Sequence, residues 1–135
     1  MNKHQTILPE GWPVPKGYSN AILAVEGQTL FTAGVIGWNS DEIFESQDLM
    51  PQFKQVLLSI VEIVREAGGQ PTDICKMTCF CTTKTEYLAS RKELGAIWHE
   101  IMGKHYPCMS MIFVDALLEN SAKIEIEATA VIICE

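Results

Sequence analysis

The sequence predicts an α+β domain in which a mixed sheet carries two helices on one face, in the order ββαβαββ. Three observations carry that reading. Short strand-like runs come in pairs at both ends of the chain, two central stretches repeat apolar residues at three- and four-residue steps, and a further strand-like run separates those stretches. At 135 residues the chain suits one domain, whose folding buries roughly two thirds of its extended surface.

The elements follow in order. Residues 1–17 hold three of the six prolines, Pro9, Pro13 and Pro15. They predict an extended, turn-rich arm, packed down by Trp12, ahead of a single domain over 18–135. Ala21–Val25 and Thr29–Ala33 read as two strands joined by a tight Glu26-Gly27 turn, and 39–47 as a loop. The first helix has Asp48 as its cap, Pro51 in its first turn and Gly68-Gly69 at its end. Its stripe is Leu49, Phe53, Val56, Leu57, Ile60, Val61, Val64 and Ala67. A strand over 74–81 follows. Thr83 and Glu86 have the spacing of a capping box for a second helix, with Tyr87, Arg91, Leu94, Trp98 and Ile101 along one stripe and Gly103 as its stop.

Met109–Val114 and Lys123–Ile133 read as a final, hairpin-like strand pair. In the last strand Ile124, Ile126, Ala128 and Ala130 take one face while Lys123, Glu125, Glu127 and Thr129 take the other. Two helices cover only one face of such a sheet. Because other strands place apolar residues on both faces, oligomerisation is the expected way to cover the second.

Charge and cysteine content exclude some functions. The net charge is −7, and the ten Lys and Arg form no cluster beyond Arg91-Lys92. Nucleic-acid affinity rests on a basic face that neutralises phosphates, so nucleic acid is not an expected partner. The first residues have no apolar signal-like core, and no run approaches ~18 apolar residues, so a cytoplasmic protein with no membrane partner is expected. The five cysteines (75, 79, 81, 108 and 134) are then read as reduced, structural thiols. Cys75, Met77, Cys79 and Cys81 alternate onto one face of a strand, and Cys79-Phe80-Cys81 lacks the C-x2-C spacing of a zinc site. His99-Glu100 opens a zincin-like pattern that Gly103 closes off. No metal and no cofactor are expected.

An ordered set of motifs over nearly the whole chain resembles the RidA/YjgF family. It comprises Pro15-x-x-Tyr18-Ser19-x-Ala21, Leu30-Phe31-x-Ala33-Gly34-x-Ile36 and the helix end Ala67-Gly68-Gly69. Asp73-Ile74-x-Lys76-x-Thr78, Tyr106-Pro107-Cys108-Met109-Ser110 and Glu125-Ile126-Glu127-Ala128-x-Ala130-Val131 complete it. The resemblance implies a chorismate-mutase-like fold and a homotrimer with three inter-subunit clefts that bind a small metabolite. It also implies hydrolysis of enamines or imines, such as 2-aminoacrylate, to carbonyl compounds and ammonia. It assigns a substrate-binding tyrosine to Tyr18, a site glycine to Gly34, and the glutamate that places the attacking water to Glu125.

The chain departs from the family pattern at three places. The arginine that clamps the substrate carboxylate falls on Met109, a usual glutamine falls on Val35, and a cleft asparagine falls on or near Arg91. A charge-assisted pair contributes ~1.5–3 kcal/mol, so losing that arginine weakens an acidic imine roughly 10- to 150-fold. Either the cleft takes a different, less acidic ligand, or another cation such as Arg91 stands in. The bland alternative has Arg91 reaching solvent or pairing with Glu86 or Glu127. Ser110 is a hydrogen-bond donor toward a ligand, and Trp38, just past Gly37, is a stacking or lid candidate. Three functions compete: an imine deaminase of altered specificity, a non-catalytic ligand-binding trimer acting as sensor or protective chaperone, and an endoribonuclease.

Overall fold

The longest helix shows how the sequence builds the core. In α1 (Leu49–Glu66) the apolar stripe is buried as far as Val64, with Leu49, Val56, Leu57, Ile60 and Val64 fully shielded from solvent, while Ala67 is the exposed C-cap. Each such Leu or Ile contributes about 1.5–3 kcal/mol through burial. Asp48 sits at the N-cap with extended backbone but makes no side-chain cap bond. Instead the Leu49 N–H donates to Oε1 of Glu86 at 3.3 Å, across 37 residues of sequence. The helix ends where Gly68 takes φ 89°, a left-handed conformation suited to glycine, and donates its N–H to the Arg65 carbonyl at 2.9 Å. The computed structural model describes residues 3–133.

The chain order is β1 (Gln5–Ile7), β2 (Ala21–Leu23), β3 (Gly27–Phe31), β4 (Val35–Ile36), α1, β5 (Ile74–Cys81), α2 (Lys84–Ala89), α3 (Arg91–Met102), β6 (Cys108–Phe113) and β7 (Ile124–Ile133). The main sheet has five strands in the order β3-β7-β5-β6, with β4 also on β7. Only the β5–β6 pair is parallel, so the sheet is mixed. The buried faces of α1 and α3 share one apolar cluster with Ile74, Met77, Cys79, Ile124 and Ile126 of the sheet. The chain is thus a small α+β domain with two main helices over a mixed sheet.

Pairing differs from the sequence expectation at both ends. Ala21–Leu23 does not form a hairpin with the next strand; it pairs with β1, in a separate two-stranded ribbon. Nor are the last two strands a pair. β7 lies between β3 and β5, while β6 is held on the far side of β5. The second helix is split: Ser90, at φ −110° and ψ 12°, separates α2 from α3. Tyr87 packs edge-on against Phe113 of β6, while Leu94, Trp98 and Met102 are buried in the core. The Thr83–Glu86 capping box also gives way, because Glu86 accepts from Nζ of Lys123 at 2.9 Å and from Leu49 N–H. Trp12 remains 59% exposed and does not pack the arm down.

The arm is fixed by a histidine. His4 Nδ1 accepts from the Val25 N–H at 3.1 Å, which leaves Nε2 to donate to the Val131 carbonyl at 2.7 Å. Further along, His105 Nε2 donates to the Ile74 carbonyl at 2.7 Å, and burial pushes its pKa below 6.5.

Candidate functional site

The site begins with a register change. Phe31 pairs with Thr129 and Val35 with Ile126, so residues 32–34 oppose two residues of β7 and form a one-residue bulge. Thr32 stabilises it by donating its N–H to the Ala128 carbonyl at 2.9 Å, while its hydroxyl accepts the Ala128 N–H at 2.9 Å. The bulge brings Gly34 against Glu125. A Cβ on residue 34 would lie 2.6 Å from Glu125 Cδ and 2.7 Å from its Oε2. Glycine is therefore required for the carboxyl group to occupy this position.

Glu125 is half-buried on the sheet face away from the core, between Ile36 of β4 and Phe80 of β5. The ion pairs of the described residues, Lys54–Glu100 and Lys123–Glu86, leave it out. Its carboxylate borders an open cleft of about 910 Å³ along the β4 edge. Gly34, Trp38 and Asn39 form one wall, the α1 flank (Gln55, Ser59, Glu62) another, and Leu118 and Glu119 close one end. The titratable groups in the lining are all carboxylates, namely Glu62, Glu66, Glu119 and Glu125. Such a cleft attracts cationic ligands, admits neutral ones and opposes anionic ones.

Trp38 stands over Phe44, with ring centroids 5.7 Å apart. The turn beyond it is organised by Asn39, whose Oδ1 accepts the N–H groups of Asp41 at 2.9 Å and Ile43 at 3.2 Å. Its Nδ2 donates to Glu45 at 3.0 Å. Trp38 is thus presented to the cleft by a braced loop.

The other expected residues lie elsewhere in the chain. Tyr18 is 43% exposed beyond the β6 edge, where the Ser19 N–H donates to the Pro107 carbonyl at 3.1 Å and its hydroxyl donates to the Tyr106 carbonyl. Ser110 is exposed on β6, level with Thr78. Met109 is level with Met77 and packs against the core, so it does not face Glu125; β5 separates their strands. The expected contact between the Glu125 and Met109 strands is corrected accordingly. Arg91 is exposed at the start of α3, and Glu86 is taken by Lys123. One chain therefore gathers Gly34, Trp38 and Glu125 at one sheet edge and holds Tyr18, Met109 and Ser110 near the other.

The α1 flank was not among the expected site residues. A polar row at Gln55, Ser59 and Glu62 reads in sequence as the solvated side of an amphipathic helix, and only the packing of β4 beside it makes it a wall.

The cysteines stand apart. Burial raises the Cys79 pKa to about 12 and also raises those of Cys81 and Cys75, which disfavours the thiolates a metal or nucleophilic role needs. Cys75 leaves the face of Met77 and Cys79 because a bulge between Ile74 and Lys76 turns it outward, half-buried. Cys134 lies outside the described residues. Among the described residues no three His, Cys, Asp or Glu side chains gather closely enough to hold a metal ion, and no helix is long and apolar enough to cross a membrane.

Comparison with known proteins adds lineage to this geometry. Residues 13–132 match the family model described as Endoribonuclease L-PSP. A RutC family protein of Pasteurella multocida is 32% identical over 105 residues, covering 78% of this chain and 81% of that one. A RutC family protein of Pyrococcus abyssi is 30% identical over 93% of this chain and 95% of its own. Among solved structures, YyfB of Yersinia pestis, of the conserved Rid protein family, superposes with TM-score 0.84 at 33% identity, covering 97% of this chain and 100% of that one. RidA from an Antarctic Psychrobacter gives TM-score 0.67 at 26% identity, covering 95% and 99%. With a family model spanning most of its length and relatives of this similarity, the chain belongs to the RidA/YjgF family.

Proposed function

We propose that this protein is an enamine or imine deaminase, working in clefts between the subunits of a homotrimer, with specificity moved away from 2-aminoacrylate. The observation that carries the reading is the Glu125 carboxylate, seated over Gly34 at the mouth of an open cleft with no ion-pair partner among the described residues. A carboxylate so placed accepts a proton from water as the water oxygen adds to the imine carbon. That proton passes to the imine nitrogen, giving a carbinolamine; as its carbon–nitrogen bond breaks, the hydroxyl proton moves to the same nitrogen and the products are a carbonyl compound and ammonia.

Two features support assembly. Tyr18 and Ser110 lie toward the opposite sheet edge from Gly34 and Glu125, so a cleft that uses both sets needs two copies of the chain. The sheet face away from the helices also exposes Phe31 at 75% and Ile112 at 43%, which a neighbouring subunit would cover. The altered specificity follows from a lining whose titratable groups are all carboxylates and from Met109 standing where the family's arginine is expected. A substrate carboxylate meets repulsion in this cleft and no clamp.

The test is ammonia release from 2-aminoacrylate and from imines that carry no carboxylate. Turnover of the second group with weak or absent turnover of the first supports the proposal; the reverse preference removes the specificity argument. A solution mass three times the 15.1 kDa chain mass supports the trimer, and a monomer refutes it.

The second reading, a non-catalytic metabolite-binding trimer, is favoured by Val35, which supplies no polar group to the cleft. Tight ligand binding without ammonia release would establish it. The family name raises RNA cleavage as a third. The −7 net charge and acidic cleft oppose phosphate binding, so no RNA retention is expected even at low salt.

A further inference from the structure

Gln52 is 1% exposed, yet its amide makes three hydrogen bonds to three separate backbone groups. Nε2 donates to the Ser121 carbonyl at 2.8 Å and to the Ser46 carbonyl at 3.1 Å, while Oε1 accepts the Lys123 N–H at 2.8 Å. The partners fix the amide orientation, because a backbone N–H can only donate and a carbonyl can only accept.

These partners lie in segments that carry different parts of the cleft lining. Ser46 ends the loop that carries Trp38 and Asn39. Ser121 ends the loop that carries Leu118 and Glu119. Lys123 leads into β7 two residues before Glu125. The Gly37 backbone, next to Trp38, also rests on Gln52, since a Cβ there would lie 2.6 Å from Gln52 Cβ and 2.8 Å from its Cα. A buried amide of this kind ties its partners into one unit, because each group left unpaired would carry its full desolvation cost.

From this we infer that Gln52 is the positioning residue of the cleft: it sets Trp38, the Leu118 loop and the entry to Glu125 relative to one another without touching a ligand. The inference rests on the cleft being the working site, as proposed above.

The closing experiment separates the two claims. In Gln52→Met, an apolar replacement of similar length, hydrogen exchange at Asn39, Ile43 and Ala122 should accelerate roughly 10- to 100-fold, with β5 and β6 amides unchanged. The Trp38 indole N–H and Glu125 carboxyl carbon resonances should shift together, while the Tyr18 ring resonances stay in place. A lower Tm without movement of the Trp38 and Glu125 resonances overturns the inference and leaves Gln52 a structural residue. Should Gln52→Met fail to fold, native-state exchange of the unmodified protein decides. The loops at 39–48 and 118–123 should then open with one free energy, and independent opening overturns the proposal. None of these readouts uses turnover, so an inactive but correctly positioned cleft would count against the deaminase reading alone.

Discussion

Replacing Gly34 with alanine should separate function from stability. The new methyl would lie 2.6 Å from Glu125 Cδ and 2.7 Å from Oε2, where unstrained carbon contacts are roughly 3.5–4.0 Å, so the carboxyl group must withdraw by about 1 Å. The atoms in the way are the far end of a flexible side chain. Moving them costs ~0.5–1.5 kcal/mol in side-chain torsion. Gly34 does not use positive φ, so alanine brings no backbone strain, and the stiffer unfolded chain returns ~0.4–1 kcal/mol. Net stability should therefore change by about 1 kcal/mol or less, a Tm shift of a few degrees. A 1 Å misplacement of a reacting group lowers turnover by about 100-fold. The assay pairs thermal unfolding with ammonia release or, for a ligand that is not turned over, calorimetric binding. Undiminished turnover and binding in Gly34→Ala would refute the assignment of this cleft, as would a Tm loss above about 10 °C, which would make Gly34 a structural glycine.

Gly37→Ala should behave in the opposite way. Its methyl meets Gln52 Cα, part of the α1 backbone, at 2.8 Å; about 1–3 kcal/mol of destabilisation by chemical unfolding is expected. His4→Phe removes both arm bonds, to Val25 and Val131. Hydrogen exchange at Val25 and across the β1–β2 ribbon should accelerate, with the core strands unaffected. His105 is neutral in the folded protein, with its pKa depressed below 6.5 by burial. The unfolded chain takes up the proton more readily, so this stability is complete above pH 6.5 and declines as pH falls below it. Denaturant titrations from pH 8 to pH 5 should show that decline, shallower in His105→Gln. Leu57→Ala, at a fully buried position, should cost about 2–5 kcal/mol by the same method.

Periodicity located the elements better than their partners. The stripe of α1, the run at 74–81 and the two-faced β7 were legible because each is a local pattern of burial. Pairing is not local: Ala21–Leu23 looks the same beside β3 as beside β1, and nothing in the Met109–Val114 run says that β5 lies between it and β7. Bulges are equally silent in sequence: neither the outward turn of Cys75 nor the one-residue offset that sets Gly34 against Glu125 has a local signal. Glu86 matched a capping box until the distant Lys123 and the Leu49 N–H claimed its carboxylate. At the site, Gly34 and Glu125 were legible from family motifs and Trp38 from its place just past Gly37, and all three meet at one cleft. The polar flank of α1 and the buried amide of Gln52 have no such signal, since helix polarity reads as solvent exposure until tertiary packing covers it.

The proposed role of Glu125 in the chemistry of the cleft is tested most directly by ammonia release from Glu125→Gln on imines that the unmodified protein hydrolyses. The substitution keeps shape and removes the base. A fall of about 100-fold or more with an unchanged Tm is predicted. Undiminished ammonia release from Glu125→Gln, or none from the unmodified protein on any imine or enamine, would contradict it.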